Sequence, residues 1–226
     1  MLANIRHVKA RIKREILEAI FTLSRIGERN GWEWLTYHPG VFAFFHWVAK
    51  REAPNVVGSL LETFPDARSF ADVGAGTGAY AAYLQRAGLA VTACERSALG
   101  RAVARMQRVT SIPFDLTWPQ PAEFGTTVDI AYSFEVAEHL PPELGNRLVQ
   151  FMLELAPTVV FSAAQPGQGG HGHINEQAPS YWAAEFDRAG ADLDTGSTSM
   201  LAAQLARTNT VAWWIAPNVQ VFRRRA

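Results

Sequence analysis

Two hydrophobic patterns divide the chain. Near the N-terminus, Leu2, Ile5, Val8, Ile12, Ile16, Ile20 and Leu23 recur every three or four residues, the period of one helix face. Arg6, Lys9, Arg11, Lys13 and Arg14 lie between them. The spacing predicts a helix over 2–23, packed by its apolar stripe, with a solvated basic face. The same face would also suit an anionic membrane surface. Residues 32–47 hold Trp32, Trp34, Tyr37, Phe42, Phe44, Phe45 and Trp47. Aromatics at that density belong to a core, or wall an apolar substrate pocket.

From Ser69 the pattern changes to short apolar runs separated by helical periods. Strands are expected over 69–73, 89–94, 109–113, 128–133, 158–162 and 218–223. Helices are expected over 79–87, 97–106, 142–155 and 179–188, with Ser97 as an N-cap and Gly88 and Gly190 as stops. Alternation of this kind predicts an α/β fold, with helices on both faces of a mainly parallel, doubly wound sheet and right-handed crossovers. The expected organisation is a helical extension over 1–67 and an α/β domain over 68–226.

Composition narrows the function. Among 226 residues, 21 Lys and Arg balance 21 Asp and Glu. No excess positive charge is available for broad nucleic-acid binding, so none is expected. The single cysteine, Cys94, excludes an intramolecular disulfide and fits a reducing compartment. No apolar run approaches the roughly 20 residues that span a bilayer. The expectation is a cytoplasmic protein.

The segment Asp72-Val73-Gly74-Ala75-Gly76-Thr77-Gly78 follows the first strand and opens a helix. Its glycines permit a tight turn and close approach of a ligand, and the helix N-terminus offers free N–H groups. The spacing is G-x-G-x-G, although a pyrophosphate ligand such as a nicotinamide dinucleotide remains a competitor. Glu95 ends the second strand, where a carboxylate can accept from two ribose hydroxyls.

With these two elements, Phe114-Asp115 after the third strand and Ser133-Phe134-Glu135-Val136-Ala137-Glu138-His139 after the fourth, the chain from 69 to about 223 resembles the class I S-adenosylmethionine-dependent methyltransferases. The resemblance implies a seven-stranded Rossmann-like sheet with a reversed last strand, S-adenosylmethionine as cofactor, and a transferase of methyl groups. It also implies roles. Asp72, Gly74, Gly76 and Gly78 would form the cofactor loop, the glycines lining the methionine part. Glu95 would hold the ribose. Asp115 would reach the adenine amino group, with Leu116 beside the ring, and the backbone near Phe134 would close the site.

The acceptor is less constrained. Neither the Asn/Asp-Pro-Pro-Tyr/Phe motif of amino-methylating nucleic-acid enzymes nor a Pro-Cys nucleophile is present. Glu135, Glu138 and His139 would share one face if a helix started near Phe134. Such a set could hold a divalent cation, with His171 or His173 as a further ligand, though polar packing is the favoured role. The loop 163–176, AAQPGQGGHGHINE, spends several glycines at a strand's carboxyl end, where α/β ligand crevices form. His171 and His173 are therefore the candidate general bases, and in an extended segment both would face the crevice. The reading is O-methylation of a small molecule, a sugar or phenolic hydroxyl. The alternatives are a lipid-linked acceptor at a membrane surface and a non-catalytic cofactor-binding scaffold.

Overall fold

The computed structural model describes residues 2–117, 127–207 and 212–225, without the side chains of residues 2–14, 28 and 33. Seven strands form one sheet: β1 (Ser69–Val73), β2 (Ala90–Glu95), β3 (Ser111–Pro113), β4 (Ile130–Phe134), β5 (Thr158–Ser162), β6 (Ala191–Leu193) and β7 (Gln220–Arg224). Their order is β3-β2-β1-β4-β5-β7-β6. The strands β1 to β5 pair in parallel, whereas β7 runs antiparallel to both β5 and β6. This is the Rossmann-like arrangement with a reversed last strand. Every residue of β5 is buried, as expected of a strand covered by helices on both faces.

Helices α4 (Ala79–Arg86), α5 (Ala98–Met106), α6 (Pro142–Leu155) and α7 (Pro179–Arg188) fall where the periodicity puts them. Ser97 caps α5 by accepting from the Gly100 amide. Three elements were not anticipated: β6, α8 (Thr195–Leu205) and α9 (Ile215–Asn218). The α8 sequence TGSTSMLAAQL is rich in residues that compete with helix through their own hydroxyls. It is helical because Asp194 accepts from the Ser197 amide and because Leu201 and Leu205 enter the core.

Before the sheet come α1 (Leu2–Asn30), α2 (Glu33–Thr36) and α3 (Pro39–Thr63). The later part of α3 is core: Val48, Val56, Val57 and Leu60, with Phe64 just past its end, share one cluster with Phe70, Tyr132, Val160 and Val221 of the sheet. Of the stripe expected on α1 the structure describes the side chains of Ile16, Ile20 and Leu23, and of these only Ile20 is half-buried. Ile16 and Leu23 are 55% and 49% exposed, while Ser24 and Gly27 are buried. A Cβ on Gly27 would sit 2.4 Å from the Thr36 amide, so α1 meets residues 35–36 through its small side chains. The basic face of residues 6–14 lies outside the described side chains. The aromatic stretch is core only in part, with Phe44 packed against the same cluster. Trp32 and Trp34 stack at the surface, and Phe45 and Trp47 are more than a third exposed. Among the described residues no helix is long and apolar enough to cross a membrane.

Candidate active site

Two groups of residues meet at the carboxyl ends of β1, β2, β4 and β5. The first is the glycine loop. After β1, the Gly74 and Ala75 amides both donate to the Cys94 carbonyl, which turns the chain sharply. The three glycines have different duties. A Cβ on Gly74 would lie 2.5 Å from Val136 Cγ2, and one on Gly78 would lie 2.9 Å from Ala104 Cβ. Those two positions serve packing. At Gly76 (φ +53°) a Cβ would meet nothing within 4 Å, so its face borders open space. Of the three, Gly76 is the one whose backbone a ligand can approach.

Glu95 braces this loop. Its Oε2 accepts from the Gly76 amide at 2.7 Å and its Oε1 from the Ser97 amide at 2.6 Å. Burial raises its pKa, against those two amides and the nearby Arg101 and Arg96. A carboxylate has about four lone-pair sites, so two remain for ribose hydroxyls. Asp72 is buried at the end of β1. Burial, helped by the charge of Glu95, raises its pKa to about 7 despite the Tyr132 hydroxyl and the Ala81 amide. Asp115 is turned outward: Oδ1 accepts from the amide and hydroxyl of Thr117, and Oδ2 lies 3.5 Å from Arg96 Nε. Leu116 is buried beside it, and its carbonyl accepts from Arg147. Phe134 stacks on Tyr132 and meets Tyr80 edge-on. One contact to the loop was not foreseen. His46 of α3 places Nδ1 3.0 Å from Thr77 Oγ1.

The second group contains the histidines. No helix starts at Phe134. Glu135 has φ +55°, and the next turn is a short 3-10 helix, Ala137–His139. The supposed shared face of Glu135, Glu138 and His139 therefore does not form. Glu135 accepts from Ser162 Oγ (2.8 Å), Gln168 Nε2 (3.1 Å) and Asn218 Nδ2 (3.2 Å), and stays beside Glu138, whose pKa burial and then the Glu135 charge raise to about 9. His173 joins Glu138 and His139 instead. One ligand atom from each of Glu138, His139 and His173 lies within 4.8 Å of the others. The Glu138 carbonyl accepts from the Ile174 and Asn175 amides, which pins the loop there.

The two loop histidines diverge, because Gly172 has φ +72° and the segment turns instead of extending. His171 Nε2 lies 2.7 Å from both the Thr36 carbonyl and Ser24 Oγ, tying the loop to α1 and α2. His173 Nδ1 lies 2.9 Å from Glu176 Oε1, and its Nε2 lies 3.9 Å from Glu138 Oε1. His139 Nδ1 lies 3.1 Å from the Gly172 carbonyl, with the Tyr37 hydroxyl 3.4 Å away. Since a carbonyl only accepts, Nδ1 of His139 carries the proton. Burial first, then the charge of His173, lowers the His139 pKa to about 4, so the ring is neutral near pH 7. Sequence reasoning missed Glu176 and Tyr37 as partners. Both stand in segments singled out, but their pairing is long-range or depends on the turn.

A parallel sheet with one reversed strand, a glycine loop after β1 and an acid after β2 define a Rossmann-like methyltransferase. Residues 71–157 match a protein-family profile described as a methyltransferase domain. Residues 71–157 are thus a methyltransferase domain, set in a Rossmann-like fold shared with S-adenosylmethionine-dependent methyltransferases. No curated protein matches it. Solved structures do. Magnesium protoporphyrin IX methyltransferase from Synechocystis, with bound S-adenosylhomocysteine, is 17% identical, with TM-score 0.56 over 78% of this chain and 83% of that one. A sugar N-methyltransferase from Streptoalloteichus is also 17% identical, with TM-score 0.56 over 78% and 87%. Mitomycin 7-O-methyltransferase is 18% identical, with TM-score 0.61 over 93% and 67%. At these identities the likeness is one of fold.

Proposed function

We propose that the protein methylates a hydroxyl oxygen of a small molecule, a sugar or a phenol, received beneath the helices of residues 1–67. The His173–Glu176 pair carries the reading. A carboxylate that accepts from Nδ1–H fixes the ring and leaves Nε2 with its lone pair, the arrangement of a positioned general base. S-adenosylmethionine, when bound, supplies a methyl group on a sulfonium sulfur. The residues of this chain then have three tasks. The glycine loop, with Gly76 and Glu95, holds the cofactor side. Tyr37 and the aromatic residues Phe21 and Phe45, which surround His171, offer an apolar wall to the acceptor. His173 Nε2 receives the hydroxyl proton as the oxygen is alkylated, and Glu176 steadies the resulting imidazolium. His171 is the latch that holds this loop against α1 and α2, rather than a second base. Magnesium protoporphyrin and mitomycin methyltransferases among the structural neighbours are in keeping with a small-molecule acceptor.

The test is methyl transfer to paired acceptors, phenols and sugars against their amine analogues. Turnover is expected with hydroxyls. His173→Ala is expected to lower kcat by roughly 10²–10⁴-fold, with S-adenosylhomocysteine affinity unchanged. A preference for amines, or an unchanged kcat in the variant, would overturn the reading.

A further inference from the structure

Glu138 is the anomaly of the acceptor side. It is 0% exposed, and neither carboxylate oxygen has a hydrogen-bond partner among the described residues. Burying a carboxylate without a partner is costly, and native proteins answer that cost with a proton, a cation or a metal. Two imidazoles face the same space, His139 and His173, with ring centroids 5.0 Å apart. Both rings are held through the same nitrogen. Nδ1 of His139 donates to the Gly172 carbonyl, and Nδ1 of His173 to Glu176. In each ring the remaining donor atom is Nε2. Histidines that ligate metals show this habit: one nitrogen on the ion, the other N–H on a backbone carbonyl or a carboxylate. Nearby Glu135 is spoken for by Ser162, Gln168 and Asn218, so it stands outside the set.

The geometry points to a divalent metal site formed by Glu138, His139 and His173. Two imidazole nitrogens and one carboxylate select a first-row transition ion, such as zinc, cobalt or iron, over magnesium or calcium, which prefer all-oxygen sets. Three protein ligands leave at least one coordination position for an exogenous oxygen. The inference rests on the acceptor-site reading above and changes one role in it. In the metal-loaded protein His173 Nε2 is a ligand. The acceptor oxygen then coordinates the ion, its O–H bond breaks with the electron pair left on oxygen, and the proton passes to water.

The experiment uses chelator-treated protein titrated with cobalt(II), read by its visible absorption, and with zinc by calorimetry. One equivalent per chain is expected, with no competition from magnesium at the same concentration. Glu138→Gln and His173→Ala are each expected to abolish stoichiometric binding. Glu176→Gln should weaken it by roughly 10–100-fold, as loss of an orienting partner does. Glu135→Gln should leave it intact. Glu138→Gln keeps the shape of the buried side chain, so it keeps the test available should His173→Ala fail to fold, which far-ultraviolet circular dichroism would reveal. No cobalt on the wild type, or equal binding in Glu138→Gln, overturns the inference. Cobalt bound without methylation of hydroxyls retains the metal site and discards the acceptor reading. Hydroxyl methylation by protein that binds no cobalt does the reverse.

Discussion

Asp72→Asn should change how stability depends on pH. The Asp72 carboxyl is 4% exposed, and its Oδ2 has no hydrogen-bond partner among the described residues. Its pKa is raised from 3.8 to about 7, chiefly by burial. The folded protein therefore keeps this proton to about pH 7, while the unfolded chain loses it near pH 4. Above the unfolded value the unfolded state binds fewer protons, so stability falls as pH rises. The loss begins near pH 4 and is complete just above pH 7. Roughly three pH units at about 1.4 kcal/mol each make about 4 kcal/mol, an upper figure because the denatured chain is not fully solvated. Asparagine has no proton to lose. The stability of Asp72→Asn relative to wild type should therefore rise by up to about 3 kcal/mol between pH 4.5 and 7.5. Urea unfolding at several pH values measures it. Buried acids remote from Asp72, Glu138 among them, titrate in both proteins and cancel in the difference; Glu95, whose charge acts on Asp72, cancels only in part. Parallel curves for the two proteins would refute the argument. They would mean that Asp72 is ionised throughout, stabilised by a group the burial argument omits.

Two further outcomes follow from the glycine loop. Gly74→Ala forces a methyl against Val136 and should cost about 1–3 kcal/mol from overpacking in addition to its left-handed φ. Gly76→Ala should cost only the conformational part, about 1–2 kcal/mol, yet lose more S-adenosylhomocysteine affinity; calorimetry beside urea unfolding separates the two, and equal effects on both measures would remove the distinction. Glu95→Ala should weaken S-adenosylhomocysteine by roughly 1.5–3 kcal/mol for each charged hydrogen bond lost. Unchanged affinity in calorimetry would take Glu95 out of the cofactor site.

The parts of the site legible in the sequence are those fixed by local backbone chemistry. Gly74, Gly76 and Gly78 sit where a strand must turn into a helix, and Glu95 ends the neighbouring strand at the same level. Local rules also placed α5, α6, α7 and β5 closely. The acceptor side was only partly legible. Assuming helix after β4 grouped Glu135 with Glu138 and His139, but the positive φ of Glu135 is set by its contacts with Ser162 and Asn218, far away in sequence. His173 joins Glu138 because two amides beyond it dock on the Glu138 carbonyl. His171 faces Ser24 and Thr36, a pairing no short-range pattern encodes. The exposed Ile16 and Leu23 make the same point: a helical period names a face, and tertiary packing chooses which face is covered.

The position of β7 has a consequence for synthesis. Among the described strands β6 pairs with β7 alone, and β7 is made after it. While the ribosome is still adding the residues between them, at about 5–20 per second, β6 has no sheet partner and the outer edge of β5 is bare. An uncovered apolar edge of this kind is open to pairing with another nascent chain. The sheet thus closes late, by inserting one strand between two that wait for it. Ribosome-bound chains halted before Gln220 should accordingly be the aggregation-prone stage of this protein's life.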